Sequence, residues 1–200
     1  MPPGGAEEAR RPREPSGRVV TRALYLGHWR IDVTVRDGVT PPVSAAALGR
    51  AVARAAEAGG APKPASIGLI LSDDAELAVL NATHLATSSP TDVLSFPLLP
   101  PETFPPHAGG PERAVGTVPS FPLPPGRRPH LGDIVISVER AIEQAYAGRG
   151  GQTGRVRWSP AEELRLLATH GTLHLCGWDH ADPVEERAMR ALETDLLVRG

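Results

Sequence analysis

The run His170-Gly171-Thr172-Leu173-His174-Leu175-Cys176-Gly177-Trp178-Asp179-His180 holds three of the seven histidines of a 200-residue chain. Just upstream, Ser159-Pro160 supplies an N-cap and an N1 proline, and Glu162 and Glu163 favour the positive end of a helix dipole. The pattern predicts a helix from 160 to Cys176, stopped by Gly177. On that helix His170 and His174 are four apart, so both rings leave one face a turn apart. Two imidazoles so placed can share a metal ion, and the turn at Gly177 lets His180 fold back as a third nitrogen ligand. Three neutral histidines leave one tetrahedral position for water, as in a catalytic zinc site rather than a closed structural one. Zinc held this way lowers the pKa of its water to roughly 7. One Zn2+ per chain is therefore expected. The alternative, three unrelated histidines, fits poorly with their spacing and with the glycine among them. His28, His84, His107 and His130 have no such company and read in the first instance as ordinary surface or core residues. Cys176 lies about 200° round the helix from His174, so it is expected to be a packed thiol rather than a fourth ligand.

The same H-x3-H-x5-H spacing occurs in metzincin-type zinc peptidases, which carry a glutamate general base right after the first histidine. Here that position is Gly171. A methionine turn is missing as well, since Met189 sits in a charged helical stretch. Peptidase chemistry is disfavoured.

Outward from this run, the rest of the chain alternates strand and helix patterns. From Val19 the sequence is strand-like, with Ala23 to Leu26, and then Ile31, Val33 and Val35 alternating with polar residues. Ser44 caps a helix from Ala45 to about Ala58, ended by Gly59-Gly60. Residues 66–71 form a short apolar run that reads as a buried strand. Ser72 or Asp73 then caps a helix to about His84. Strands follow at 91–96 and 132–138, a helix at 139–147, a Gly-rich loop at 149–154, and a last amphipathic helix from Pro183 to Val198. The fold class is α+β: a single domain with a mixed β-sheet packed against helices, its three-His site on a C-terminal helix and the following turn. Residues 1–17 mix proline, glycine and charge without apolar periodicity and read as a disordered tail. The domain then spans 18–200. It is interrupted by a Pro-rich insertion at about 98–130, since residues 97–129 hold 11 of the 22 prolines. So long a stretch without a period reads as a surface segment that buries little.

Composition narrows the function classes. Apolar residues make up 40% of the chain, enough for a core, and no apolar run approaches the ~20 residues that cross a bilayer. A single cysteine excludes an internal disulfide framework and fits a reducing compartment. The N-terminus has no apolar segment of a secretory signal. A cytoplasmic protein without membrane partners is expected. The formal net charge of −2 excludes a generic nucleic-acid coat. DNA is not expected as a partner, and any polyanion must meet a local patch. Lys63 is the only lysine, so that patch would be built from arginine.

The histidine run resembles the H-G-x-L-H-L-x-G-x-D-H signature of the YbeY family of bacterial endoribonucleases and rRNA maturation factors. Two further blocks agree in order and spacing. Pro90-Thr91-Asp92-Val93-Leu94-Ser95-Phe96-Pro97, preceded by Leu80-Asn81, is similar to the family's P-T-D-V-L-S-F-P strand. Leu131-Gly132-Asp133-Ile134-Val135-Ile136-Ser137 is similar to its L-G-D-I-x-I-S strand. The resemblance covers about residues 20–198. It implies an α+β metalloprotein with zinc on His170, His174 and His180, and single-strand-specific cleavage of RNA in 16S rRNA 3′-end maturation and ribosome quality control. The partners it implies are rRNA and the small ribosomal subunit or its assembly factors. The family's usual arginine after the Leu-Asn pair falls here on Leu85, so either His84 beside it, an arginine from elsewhere, or nothing supplies that charge. The Pro-rich insertion also departs from the shorter members.

Within that expectation Asp179 either orients an imidazole and accepts a proton, or caps its own turn. Asp179 and His84 are the candidate catalytic residues. Arg127, Arg128, Arg155, Arg157 and Arg165 are the candidate RNA contacts, as charge-assisted donors to phosphate. Thr91, Asp92 and Ser95 are expected to serve the sheet. Two other functions compete: a non-catalytic ribosome-assembly factor with a structural zinc, and a zinc hydrolase of another class.

Overall fold

Period-two alternation makes the first two strands a hairpin. In the computed structural model, which describes residues 19–84, 91–111, 124, 127–148 and 158–198, β1 (Val20–Leu26) and β2 (Trp29–Val35) pair antiparallel from Val20↔Val35 to Leu26↔Trp29. Gly27 takes the positive φ, 60°, that the tight turn between them requires. Helix α1 (Ala45–Ala58) starts where the Ser44 side chain accepts from the Ala47 amide, and it leads to β3 (Ala65–Ser72), parallel to β2. Asp73, rather than Ser72, caps α2 (Asp74–His84), its Oδ1 accepting from the Glu76 amide at 2.8 Å. β4 (Val93–Pro97) forms the far edge. β5 (His130–Ser137) then enters between β3 and β4, parallel to the first and antiparallel to the second, giving the order β1-β2-β3-β5-β4. Three helices follow: α3 (Val138–Ala147), α4 (Pro160–Leu175) and α5 (Pro183–Val198). The Ser159–Glu162 capping box starts α4. The α+β fold with a mixed sheet is as the pattern predicts. None of the helices among the described residues is long and apolar enough to cross a membrane.

Strand alternation divides the core. Ile67, Leu69, Leu71, Ile134 and Ile136 are fully buried with Leu48 and Val52 of α1 and Leu164 and Leu175 of α4, and Leu167 of α4 is nearly so. On the opposite side Val135 and Leu94 pack with Leu77 of α2. Each such side chain contributes about 1.5–3 kcal/mol relative to exposure, so the first cluster dominates and fixes α4 against the sheet.

Two glycines set how close that approach is. A Cβ at Gly171 would lie 2.7 Å from Cγ2 of Ile134, 3.1 Å from Oγ of Ser95 and 3.3 Å from Cγ2 of Val93. Ser95 closes the contact by donating its hydroxyl to the Gly171 carbonyl at 3.1 Å. Gly132, at φ 142°, would carry its Cβ into the Phe96 carbonyl oxygen at 2.2 Å. It sits where the β3–β5 register shifts.

The Pro-rich segment corrects the expectation of a stretch that buries little. Pro101–Thr103 forms a 3-10 turn, and Phe104 behind it is only 4% exposed within the main core. Pro105 covers Gly60, where a Cβ would lie 2.4 Å from its Cγ. The physical reason is entropic. Prolines lose little freedom on ordering, so one aromatic anchor suffices where composition alone suggests none. Residues 112–123 and 125–126, the 1–17 tail and the 149–154 loop lie outside the described residues.

Phe104→Ala should therefore cost about 3–5 kcal/mol in a chemical denaturation curve, where a segment lying loose on the surface would register almost nothing. Gly171→Ala, a substitution that gains up to about 1 kcal/mol in an exposed helix, should instead destabilise by about 1–3 kcal/mol through overpacking. A neutral or stabilising Gly171→Ala would show that the helix has room to move off the sheet.

Candidate metal centre

In the last turns of α4, Gly171, Thr172, Leu173 and Leu175 are buried, whereas His170 and His174 stay partly exposed on one stripe. Their ring centroids are 4.5 Å apart, and their Nε2 atoms face one another at 3.1 Å. The helix ends at Cys176, Gly177 takes φ 80°, and the chain folds back. This brings the His180 ring to 5.1 Å from His174 and 5.7 Å from His170. One nitrogen from each of the three rings lies within 4.8 Å of the others.

The other ring nitrogens are already engaged, which decides the tautomers. Nδ1 of His174 lies 2.9 Å from the Trp178 carbonyl oxygen. A carbonyl can only accept, so Nδ1 carries the proton and Nε2 presents a lone pair. Nδ1 of His170 meets Oε1 of Glu193 on α5 at 2.7 Å, with the same consequence. Burial first, then the neighbouring His170 and His180, push His174 down to about 4, against the raising influence of the Trp178 carbonyl. His174 is thus a neutral imidazole at physiological pH, as a metal ligand would need to be. Tetrahedral zinc takes neutral imidazoles at about 2.0–2.1 Å, and this donor set fits it. Glu193 escaped the sequence reading because it lies 23 residues from His170 and looks like any charged residue of an amphipathic helix. No local signal marks it.

Cys176 is fully buried, and burial pushes its thiol up to about 12. A Cβ at Gly59 would lie 2.8 Å from its Sγ, so the thiol packs into the core, as expected. The glutamate of the peptidase pattern has no space at position 171, for the same steric reason that makes the residue glycine.

A cleft of about 300 Å³ opens beside His170 and His180, bounded by α4, α5 and the start of β4. Asp92, Glu163, Glu186 and Glu193 line it, with Arg190 and Trp158. Arg190 is paired with Glu186 at 2.7 Å. Arg127, Arg128 and Arg165 are not among its lining residues. Arg127 is exposed, and Arg128 donates to the His28 carbonyl at 2.6 Å, tying its segment to the β1–β2 turn. Arg155 and Arg157 lie outside the described residues, as do Leu85 and the side chain of His84. Asp179 is exposed beside His180, and its Oδ1 accepts from the His180 amide at 2.7 Å, a bond within the turn. Asp92 holds the sheet to α3, accepting from Gln144 at 2.9 Å.

Comparison with known proteins agrees with the motif reading. The sequence pattern of the family Endoribonuclease YbeY matches residues 39–199. An Endoribonuclease YbeY of Roseiflexus castenholzii is 35% identical over 168 residues, 84% of this chain and 90% of that protein. One from Salinispora tropica is 40% identical over 134 residues, covering 66% of this chain and 73% of its own length. A third, from Dehalococcoides mccartyi, is 31% identical over 168 residues, with 84% and 91% covered. With a match running from before α1 to the end of α5, this chain belongs to the Endoribonuclease YbeY family.

Proposed function

We propose that this chain is a metal-dependent endoribonuclease that cuts single-stranded RNA, holding one Zn2+ on His170, His174 and His180. Its place would be the cytoplasm, in 16S rRNA 3′-end maturation and ribosome quality control, with the small ribosomal subunit or its assembly factors as partners. The observation that carries this reading is the convergence of three imidazole nitrogens within 4.8 Å at the edge of an open cleft. A structural zinc would be closed off by a fourth protein ligand. Here the nearest cysteine is buried in the core and turned away.

When bound at such a site, a divalent ion polarises a phosphoryl oxygen and lowers the pKa of a water molecule to roughly 7. The chain's own residues prepare for it. Glu193 and the Trp178 carbonyl hold the Nδ1 protons of His170 and His174, so both Nε2 lone pairs point inward without reorganisation. Asp179 keeps the His180 backbone in its turn, and as an exposed carboxylate next to His180 it is the proposed acceptor of a proton from the attacking water. His84 and the arginines of segments 127–128, 155–157 and 165 are the proposed contacts for RNA phosphates along its path to the site.

The test is a single preparation assayed on single-stranded RNA with and without chelator, beside His174→Ala. Zinc by elemental analysis should be near one per chain in the parent and absent from the variant, and cleavage should vanish with it. Zinc retained in full by His174→Ala would sink the ligand assignment. RNA cleavage indifferent to chelator would sink the metal dependence. Glu193→Ala keeps all three ligands but frees the His170 ring, and should weaken zinc binding by about 10–100-fold in a competition titration.

A further inference from the structure

The Pro-rich segment reaches the metal-binding turn. His107, ten residues past the end of β4, is buried to 7% side-chain exposure and stacks on Trp178, with ring centroids 4.0 Å apart and planes 11° from parallel. Its Nε2 lies 2.6 Å from Oε1 of Glu185, a carboxylate only 4% exposed in the first turn of α5. The same Oε1 accepts from the Asp179 amide at 2.7 Å. Trp178 and Asp179 are the two residues immediately before His180, and the Trp178 carbonyl fixes the His174 ring. The fit on either side is tight. A Cβ at Gly110 would lie 2.8 Å from Nε2 of His107, and one at Gly109, where φ is 79°, would lie 2.2 Å from the Glu185 amide nitrogen.

We propose that residues 104–110 form a strap that clamps the turn between His174 and His180, and that His107 is a positioning residue for the metal site. Phe104 anchors the strap in the core, Gly109 seats its backbone on the start of α5, and His107 closes it over Trp178 and Glu185. The Glu185 carboxylate is satisfied from two sides, by the imidazole and by the Asp179 amide. Removing the imidazole leaves a buried carboxylate short of a donor and Trp178 without its stacking partner. Both contacts that hold the turn loosen together, and with them the Trp178 carbonyl and the backbone that presents His180. The proline-rich segment is thus part of the metal site's framework, not an appendage. The effect on metal binding rests on the zinc reading above, whereas the clamp itself does not.

The full-length chain and its variants, stripped of metal, are titrated with Zn2+ against a competing chelator. In parallel, amide hydrogen exchange across residues 177–181 is followed in the metal-free state. His107→Ala should weaken zinc about tenfold, the lower end of what outer contacts of a metal ligand contribute, and should speed exchange at Asp179. His107→Gln, whose amide can reach Glu185, should recover most of both. Leu77→Ala, a buried change on the other face of the sheet, should lower the melting midpoint and leave both readouts at the parent value. If His107→Ala does not fold, His107→Phe keeps the stack and removes the donor, with the same losses expected. Parent-like affinity and exchange in the His107 variants would overturn the proposal, as would an equal loss in Leu77→Ala. If the parent takes up no zinc, the ligand assignment fails and the exchange comparison alone decides the clamp.

Discussion

The site depends on how closely α4 lies on β4 and β5. Gly171 has no Cβ because Ile134, Ser95 and Val93 occupy its place, and that contact sets the rotation of the helix about its own axis. With Gly171 and Leu175 inward, His170 is turned to meet Glu193 of α5 and His174 the Trp178 carbonyl of the following turn. Helical geometry alone puts two imidazoles on a common face. Only the packing decides that the face meets Glu193 rather than solvent. The Ser95 hydroxyl on the Gly171 carbonyl adds a directional bond to an otherwise apolar contact, which ties the second motif block to the first.

The sequence made the elements and the three-histidine cluster legible, because both are written in local spacing. Helix α1 runs over Ala45–Ala58 as its cap and glycine stop predict, and α4 starts at the Ser159–Pro160 signal. The His-x3-His pair followed by a glycine turn is a one-helix pattern, readable without knowing what the helix packs against. Strand order was not legible. β5 lies between β3 and β4, although β4 precedes it in the chain, and nothing in a single strand's alternation says which neighbour it will take. The motif glycines could be quoted but not explained until Gly132 was seen against the Phe96 carbonyl and Gly171 against Ile134. Glu193 and Glu185 were invisible for the same reason. Their roles come from the return of α5 across the site, a long-range event that leaves no trace in a charged helical pattern.

The Pro-rich segment shows where composition misleads. Eleven prolines in 33 residues look like a chain that cannot order, because apolar content is usually what offsets lost entropy. Yet a proline has little entropy left to lose, so the threshold for ordering is lower than for a serine- or glycine-rich segment of equal hydropathy. Phe104 supplies the buried area and His107 a polar contact that satisfies an otherwise buried carboxylate. The first part of the segment is therefore structural, and its course is dictated by two side chains that composition counts as incidental.

Charge gives the last link between architecture and chemistry. The chain is nearly neutral, with a formal net of −2, and the cleft beside the histidines carries four carboxylates against Arg190, which is already paired with Glu186. Such a lining attracts a divalent cation and repels a bare RNA backbone. Within this cleft a phosphodiester would therefore find a favourable field where three imidazoles could hold a dication, rather than along the described walls. That arrangement suits an enzyme that has to cut at one point without coating its substrate. It also explains why net charge could exclude a general RNA binder and say nothing against a nuclease. Non-specific affinity scales with the number of phosphates neutralised, whereas cleavage needs strong compensation at only one.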